Sequence, residues 1–331
     1  MYKRQALWGT NNVDHQARIC HSTTVAGVAN TWGYGAMTNS YNDIHNSKAI
    51  LIIGGNPAEA HPVSLLHVFH ATERNNAPLI VIDPRFTRTA AHADLFMRIR
   101  PGTDVPVVWG MLWHIFKNGW EDKEFIRQRV YGLEEVKQEV AKWTPDEVER
   151  VTGVPENQVL AAAKTMADNR PGTFIWCMGG TQHTIGNNNT RAYCIFQLVL
   201  GNMGVAGGGT NIFRGHDNVQ GATDFGVLSH TLPGYYGLSE GAWKHWAKVW
   251  DVDYQWMADR FDQEESPGDF FGEEGASESI VKGMNENGIP VSRWIDGVLE
   301  DKTNIAQRDI LRAMVFWGHA PNSQTRGKEM K

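Results

Sequence analysis

Short apolar runs and segments of helical period alternate along the first two thirds of the chain. Residues 48–55 (KAILIIGG) and Leu79–Ile82 are continuous apolar runs, typical of strands buried on both faces in a parallel sheet. Between them, residues 62–75 carry apolar side chains at helical spacing, and the three segments predict one right-handed βαβ unit. Two further apolar runs, at 95–99 and 173–178, predict a third and a fourth strand.

The segments between and after these strands predict helices. Apolar residues, capping signals and flanking prolines or glycines place them at 105–117, 133–143, 145–152, 155–168 and 192–200. Trp243, Trp246 and Trp250 also recur at helical spacing, which is more typical of a core stripe than of a stacking platform.

Residues 312–318 (RAMVFWG) again combine an apolar run with a turn, and they predict a strand of a second α/β unit. The pattern as a whole predicts an α/β fold. We expect a parallel-sheet dinucleotide-binding domain at 6–215 and part of a second α/β domain at 216–331. The second domain contains an acidic insertion at about 238–306, which indicates a solvated loop or a docking site for a basic partner.

Glycine pairs close two of the predicted strands. Gly54-Gly55-Asn56-Pro57 follows the first strand, and Gly179-Gly180-Thr181-Gln182 follows the fourth. A turn without side chains lets the backbone approach a diphosphate, and a helix that begins there favours an anion. Asp83, one strand further along, is placed to bind a ribose hydroxyl or a purine edge. The alternative is an ordinary strand-to-helix turn that needs a positive φ.

Asp104 opens the helix that follows the third strand. A carboxylate at this position either caps the helix or accepts hydrogen bonds from N1 and N2 of a guanine. Gly318 and Asn322 repeat the strand-turn plan near the end of the chain, and they predict a second nucleotide half-site.

Composition narrows the class of protein. The chain has 331 residues, 41% of them apolar and 21% charged, which is ordinary for a globular protein. Its net charge is −6 without a basic block, so nucleic acid is excluded as the expected partner. We find neither a signal peptide nor an apolar run long enough for a membrane span, and the three cysteines form no Cys-x-x-Cys pair. These features favour a cytoplasmic protein, and both chain ends look like cuts through a longer one.

Two short segments carry candidate chemistry. Cys20-His21 combines a soft metal ligand and nucleophile with an imidazole that titrates near neutral pH. A lone cysteine is more often a small buried hydrophobe. The segment from Arg214 to Gly221 (RGHDNVQG) favours the functional interpretation of Cys20-His21 over that one. His61, His67 and His70 share one predicted helix, where surface or capping roles are favoured over metal binding.

Several motifs agree in order and spacing with a known family. They are residues 11–14 (NNVD), 17–27 (ARICHSTTVAG), 35–39 (GAMTN), 56–62 (NPAEAHP) and 214–221 (RGHDNVQG). From about residue 6 to its end, the chain resembles the catalytic alpha subunit of molybdenum- or tungsten-dependent formate dehydrogenases, in the dimethyl sulfoxide reductase family.

The resemblance implies a bis-molybdopterin guanine dinucleotide cofactor with molybdenum or tungsten, and assigns roles to residues. Cys20 matches the metal ligand, His21 the adjacent active-site histidine and Arg214 the arginine that orients formate. Arg214 can bind the carboxylate with two parallel hydrogen bonds, and His21 can relay a proton or lower the pKa of the thiol. The candidate cofactor-binding residues are Gly54, Gly55, Asn56, Asp83, Arg85, Gly102, Asp104, Gly179, Gly180, Gln182, Gly215, Gly318 and Asn322.

The chain also departs from the family pattern. His216 stands where some relatives carry glutamine. Members usually begin with a domain that binds a 4Fe-4S cluster and end with a further pterin-binding domain, so we expect a fragment whose electrons pass to Fe-S, NAD or flavin subunits outside it. Two alternatives remain open: a nitrate reductase-like enzyme of the same family, and a catalytically incomplete fragment with a structural role. A periplasmic location is the alternative to a cytoplasmic one.

Overall fold

The computed structural model describes residues 4–261, 282–307 and 310–318. The chain divides into two compact units, which we call the sheet unit (Thr23–Asp217) and the terminal unit (Met1–Ser22 with Asn218–Lys331). Residues 6–22 therefore group with the C-terminal part of the chain, whereas the sequence placed them in the first domain. The domain borders themselves stay a prediction.

A parallel sheet forms the centre of the sheet unit. Its strands are β1 (Ala49–Ile53), β2 (Leu79–Ile82), β3 (Leu95–Met97), β4 (Gly172–Trp176) and β5 (Thr210–Ile212), in the spatial order β3-β2-β1-β4-β5. All the pairings between them are parallel. The α/β class and the four strands predicted between residues 48 and 178 are thus confirmed.

Strand β5 escaped prediction because its short sequence, Thr210-Asn211-Ile212, has no apolar run. Inside the sheet the side-chain amide of Asn211 finds a partner, because its nitrogen donates to Thr173 Oγ1 over 2.5 Å. Gln197 Nε2 donates to the carbonyl oxygens of Gly172, the first residue of β4, and of Gly209, which precedes β5. Buried polar groups with such partners cost little, so a strand can form without an apolar pattern.

Both faces of the sheet are covered, as the apolar runs predicted. Leu51 and Ile53 of β1 pack into the core on one face, together with Phe174 and Trp176 of β4. Ile50 and Ile52 point into a second cluster on the other face. Alternate residues of one strand therefore serve two cores, which explains why polar residues are absent from β1.

Helices surround the sheet and build the terminal unit. In chain order they are α1 (Arg4–Trp8), α2 (Ala17–Cys20), α3 (Ser22–Trp32), α4 (Pro57–Ala60), α5 (Leu65–Asn75), α6 (Asp104–Asn118), α7 (Lys123–Arg129), α8 (Leu133–Val140), α9 (Pro145–Thr152), α10 (Glu156–Asp168), α11 (Met178–Thr181), α12 (Gly186–Val199), α13 (Val219–Asp224), α14 (Glu240–Val249), α15 (Tyr254–Phe261), α16 (Lys282–Asn285) and α17 (Asp296–Leu299). Short 3-10 helices lie at Tyr41–Asn46, Pro62–Ser64, Ala90–His92, Pro233–Tyr235 and Val291–Arg293. In the described ranges, no helix is long and apolar enough to cross a membrane.

The terminal unit has its own small core. Trp243 of α14 is fully buried there, with Trp246 and Trp250 packed against the same cluster, so the tryptophan stripe is a core stripe as predicted. The predicted strand at 312–318 is wrong: residues 310–316 have no regular secondary structure, and 71% of Val315 is exposed. An apolar run forms a strand only beside a neighbour that accepts its backbone hydrogen bonds. Residues 262–281 of the predicted acidic insertion lie outside the described residues.

Candidate active site

The topology of the sheet fixes where a ligand site can form. From β1 the chain moves outward to β2 and β3, then returns to the other side of β1 for β4 and β5. The order of the strands therefore reverses between β1 and β4, and open parallel sheets bind ligands at the carboxyl ends of such a strand pair. The two glycine pairs predicted from the sequence follow β1 and β4, so they lie at this switch point.

The glycines at the switch point first of all let two loops pack together. The Gly179 amide donates to the Gly54 carbonyl oxygen over 2.9 Å. A Cβ on Gly54, whose φ is +57°, would lie 2.6 Å from the Gly180 nitrogen. Contact between the two backbones thus already requires these glycines, so the glycine pattern alone does not establish a diphosphate site.

Neighbouring loop residues are also fixed by contacts within the protein. Asn56 Oδ1 accepts hydrogen bonds from the backbone and the hydroxyl of Thr89, at 3.3 and 2.8 Å. A Cβ on Gly55 would lie 2.8 Å from the Cys177 sulfur. The loop after β1 therefore has a shape that is set before any ligand binds.

Two carboxyl groups lie beside these loops. Asp104 begins α6, is 3% exposed and accepts a hydrogen bond from the Tyr193 hydroxyl over 2.8 Å. Burial raises the pKa of Asp104, although the bond from Tyr193 counteracts part of the effect. Asp83 follows β2, and burial raises its pKa too, with a smaller contribution from the nearby Asp104 and an opposing one from Arg85.

This pair of acids is suited to a ligand that donates hydrogen bonds. A buried carboxylate is stabilised by N–H donors, and the N1 and N2 groups of a guanine are such donors. Asp104 is the first residue of α6 and not its cap, because the capping position belongs to Thr103. The interpretation of Asp104 as a plain helix cap is therefore not what the structure shows.

The other candidate cofactor residues are more exposed. Arg85, Gly179, Gln182 and Gly215 are exposed, and a Cβ on Gly102, Gly215 or Gly318 would meet no atom within 4 Å. Gly318 belongs to the terminal unit, and Asn322 lies outside the described residues. The roles of all these positions stay predictions.

One residue, Phe213, separates Arg214 from the end of β5, so Arg214 lies at the same carboxyl edge of the sheet. It is 8% exposed, its Nη2 donates to the Gly35 carbonyl oxygen over 2.9 Å, and its own carbonyl accepts a bond from His61 Nε2 over 2.6 Å. A guanidinium held this way is presented in a defined orientation, as carboxylate binding requires.

The Cys20-His21 pair ends α2 in the terminal unit. His21 is 2% exposed and caps the helix, its amide donating to the Ala17 carbonyl oxygen over 3.0 Å. Cys20 is half-buried, whereas Cys177 and Cys194 are buried. Burial raises the pKa of Cys177 to about 12, helped by nearby Asp83, and raises that of Cys194 well above its ordinary value. Of the three cysteines, only Cys20 is therefore accessible to a metal.

Residues just before the pair hold it in place, a role that sequence reasoning missed. Arg18 forms an ion pair with Asp14 at 3.0 Å and contacts the Ser229 hydroxyl and the His230 ring at 3.3 and 2.9 Å. Asp14 in turn accepts a bond from the Val291 amide over 2.9 Å. The motif at 11–14 contributes to the family resemblance, but a short polar motif does not reveal which distant backbone it binds.

The helix that follows the pair is anchored to the switch point. Thr23 Oγ1 donates to the Thr181 carbonyl oxygen over 2.5 Å, and the Thr24 and Thr181 hydroxyls are 2.7 Å apart. Trp176 Nε1 donates to Thr24 Oγ1 over 3.2 Å. The first turn of α3 is thus tied to β4 and its loop.

Of the three histidines predicted on one helix, His67 and His70 lie on α5, whereas His61 precedes it. The His45 ring stacks on His67 and His70, with ring centroids 4.7 and 4.0 Å apart. Burial and the neighbouring His45 lower the pKa of His67. In the part of the chain that the structure describes, no group of three or more histidines, cysteines or acids could hold a metal ion.

Comparison with known proteins adds to this geometry. The family model described as "Molybdopterin oxidoreductase" matches residues 4–330. The chain is 39% identical over 282 residues to the major subunit of the nitrate-inducible formate dehydrogenase of Escherichia coli, covering 68% of this chain and 28% of that protein. It is 41% identical over 244 residues to the alpha subunit of the F420-dependent formate dehydrogenase of Methanocaldococcus jannaschii, covering 74% and 36%.

A third curated relative and one solved structure extend the comparison. Formate dehydrogenase H of Escherichia coli is 38% identical over 250 residues, covering 75% of this chain and 35% of that protein. The structure of acetylene hydratase from Pelobacter acetylenicus matches with a TM-score of 0.56 and 29% identity, over 62% of this chain and 28% of that one. The chain thus spans about a third of the length of the relatives it matches.

Proposed function

The chain belongs to the molybdopterin oxidoreductase family, and from that premise we propose that it is the catalytic segment of a formate dehydrogenase. The proposed reaction is the reversible oxidation of formate to carbon dioxide at a molybdenum or tungsten ion held by two pyranopterin guanine dinucleotides. Formate dehydrogenases from a bacterium and an archaeon at about 40% identity support this substrate.

The residues present fit such a cofactor. Asp104 is a buried acceptor and Asp83 a half-buried one at the carboxyl edge of the sheet, and both have a raised pKa that an N–H donor of a guanine would relieve. Cys20 would supply the protein ligand to the metal, because it is the one accessible thiol of three. When bound, the metal centre would accept the two electrons that formate loses.

The side chains of this chain would do the remaining work. Arg214 would bind the formate carboxylate through its planar fork and orient the C–H bond. His21, buried next to Cys20, would hold or pass on the proton that the oxidation releases. The low exposure of Arg214, at 8%, would limit the water that competes with formate for its guanidinium.

The accessibility of Cys20 carries the proposal. The thiol ends a helix that Arg18 and Asp14 fix, and both other thiols are buried. A cysteine that served only to fill the core would be buried like Cys177 and Cys194. An accessible thiol beside a buried imidazole is suited to bind a soft metal.

The decisive test is formate-dependent reduction of a dye by the protein that carries this chain. Cys20→Ser should lower turnover on the order of 10³-fold or more while circular dichroism stays unchanged. Cys194→Ala is the matched control, because it alters a buried thiol in the sheet unit, and it should keep most of the activity. Equal activity of wild type and Cys20→Ser would remove Cys20 from the site.

The same assay separates the alternatives. A nitrate reductase-like enzyme would oxidise a reduced dye with nitrate and would leave formate untouched. A segment with only a structural role would be inactive with both substrates. Arg214→Lys should mainly raise the KM for formate, since lysine keeps the charge but loses the two-point contact.

Partners and location extend the proposal. The relatives are named as subunits, and we propose that electrons pass from this chain to Fe-S, NAD or flavin subunits in the cytoplasm. Copurification of an iron- or flavin-containing protein with the tagged native protein would support this, and dye-only activity without any such protein would contradict it.

A further inference from the structure

Arg214 is held at both its backbone and its guanidinium by residues of the sheet unit. Its carbonyl oxygen accepts a bond from His61 Nε2 over 2.6 Å, and its Nη2 donates to the Gly35 carbonyl oxygen over 2.9 Å. Because the acceptor of His61 is a carbonyl, Nε2 must carry the hydrogen. We propose that His61 and Gly35 are positioning residues that fix the orientation of Arg214 for carboxylate binding, an inference that rests on the proposed function.

The His61 side of this clamp is itself fixed. Its ring packs against Phe213, with centroids 5.6 Å apart, and Tyr41 packs on the same Phe213 ring at 4.9 Å. His61 Nδ1 is buried and has no hydrogen-bond partner in the described residues. The His61 ring therefore donates one hydrogen bond to the Arg214 carbonyl and packs against Phe213, the residue before Arg214.

The Gly35 side connects Arg214 to the helix that begins after Cys20-His21. A Cβ on Gly35 would lie 2.5 Å from Val25 Cγ1 and 2.7 Å from the Val25 carbonyl oxygen. Only glycine fits so close to α3, and this fit sets the position of the carbonyl that Arg214 binds. The contact between Gly35 and α3 thus fixes the position of the Gly35 carbonyl and of the Arg214 guanidinium that donates to it.

Fixing an arginine has a direct effect on substrate binding. The side chain carries about 2 kcal/mol of rotamer entropy, which a mobile arginine loses each time it binds a ligand. A preorganised one loses less, so a clamp on Arg214 should appear mainly in the KM for formate. His61 would not touch the substrate and would act only through Arg214.

The test uses the complete native protein and two variants of one residue. His61→Phe keeps a ring against Phe213 and removes the donor, whereas His61→Gln keeps a donor near the position of Nε2. His92→Phe is the matched control, because His92 also packs on a phenylalanine, at 5.0 Å from Phe69, but is distant in sequence from the clamp. Labelling of Arg214 by phenylglyoxal, followed by peptide mass spectrometry, reports on the arginine without activity.

In His61→Phe, we expect phenylglyoxal to label Arg214 about 3- to 10-fold faster than in the wild type. The KM for formate should rise by a similar factor, with kcat nearly unchanged. His61→Gln should restore most of both values, and His92→Phe should resemble the wild type. If His61→Phe does not fold, Gly35→Ala tests the other side and should also speed labelling. Wild-type labelling rates in the folded variants would overturn the positioning role.

The two proposals can fail separately. If the wild-type protein oxidises no formate while labelling follows the expected order, the proposed function fails and the clamp stands. If formate oxidation depends on Cys20 while His61→Phe keeps wild-type labelling and KM, the clamp is wrong and the function stands.

Discussion

The sheet unit and the terminal unit are stabilised by different kinds of interaction. In the sheet unit, buried strands such as β1 pack apolar side chains on both faces. In the terminal unit, the apolar core around Trp243 is small. Polar side chains there also form hydrogen bonds with backbone groups that are distant in sequence. The Asn11 amide contacts the carbonyl oxygens of Gly283, Met284 and Glu286 at 3.0, 3.2 and 2.8 Å.

This difference shows that the candidate residues of the two units are positioned in two different ways. Arg214 is positioned by a sheet edge, where topology alone brings several loops together. Cys20 is positioned by point contacts of Asp14 and Arg18, each of which could be removed by one mutation. The comparison predicts that core truncations are the most damaging in the sheet unit and polar substitutions in the terminal unit.

The largest effect should come from the sheet core. Leu51→Ala removes a fully buried side chain from β1 and should lower the free energy of unfolding by about 3 kcal/mol, because it leaves a cavity. Urea unfolding measures the change. Leu66→Ala, at a side chain that is 67% exposed, is the control and should stay within about 0.5 kcal/mol. Equal losses in both variants would contradict the assigned core.

A smaller effect should come from the contact between the two strand-end loops. Gly179→Ala places a methyl against the Gly54 backbone and should cost about 2 kcal/mol, because backbone cannot move aside cheaply. Gly221→Ala in the terminal unit meets only the side chain of Asn218, which can rotate, and α13 gains helix propensity. Chemical denaturation should give a clearly lower free energy of unfolding for Gly179→Ala than for Gly221→Ala. The reverse order would show that the switch-point loops are not tightly packed.

Removal of the Asn11 amide tests the terminal unit, where a polar substitution should be costly. Asn11→Ala should cost about 1–2 kcal/mol, since backbone carbonyls at 283–286 lose their donor. Hydrogen exchange should quicken around 283–291 and stay unchanged in β1. Asn42→Ala, at an exposed residue, serves as the control. Faster exchange in β1 would mean that the anchor supports the sheet as well.

The smallest effects concern pH and should have opposite signs in the two units. Burial raises the pKa of Asp104, so its contribution to stability is complete below the ordinary value of 3.8 and is lost as the pH rises through the folded pKa. Hydrogen bonds from Thr303 lower the pKa of Asp301, whose contribution is present above 3.8 and lost as the pH falls through the folded value.

Replacement of each acid by asparagine tests these signs. At pH 7, Asp104→Asn should be more stable than the wild type, and Asp301→Asn slightly less stable. Both differences should shrink towards zero when urea unfolding is repeated below pH 3.8. A loss of stability in Asp104→Asn at pH 7 would show that the carboxylate is satisfied in the folded protein.

The family and the sheet were predictable because their signals are local. Continuous apolar runs identified β1, β2, β3 and β4, and the motifs around Cys20 and Arg214 indicated the family, which the comparisons confirm. A residue buried on both faces of a sheet must be apolar whatever its neighbours are, so the sequence carries that information position by position.

Other features arose only from contacts between distant segments. Strand β5 forms because it pairs with β4, whereas the apolar run at 312–318 pairs with no strand of the described residues and has no regular strand structure. The glycines after β1 and β4 suggested a ligand, yet the structure shows that each loop needs them to fit the other.

Sequence by itself thus determined the α/β class, the identity of the central strands and the candidate residues Cys20, His21 and Arg214. Tertiary structure alone decided which thiol is accessible, which carboxyl groups lie near each other and that His61 binds the backbone of Arg214. The reason is physical: apolarity and helical period are properties of neighbouring residues, whereas accessibility, burial and hydrogen-bond partners are properties of segments that meet only after the chain has folded.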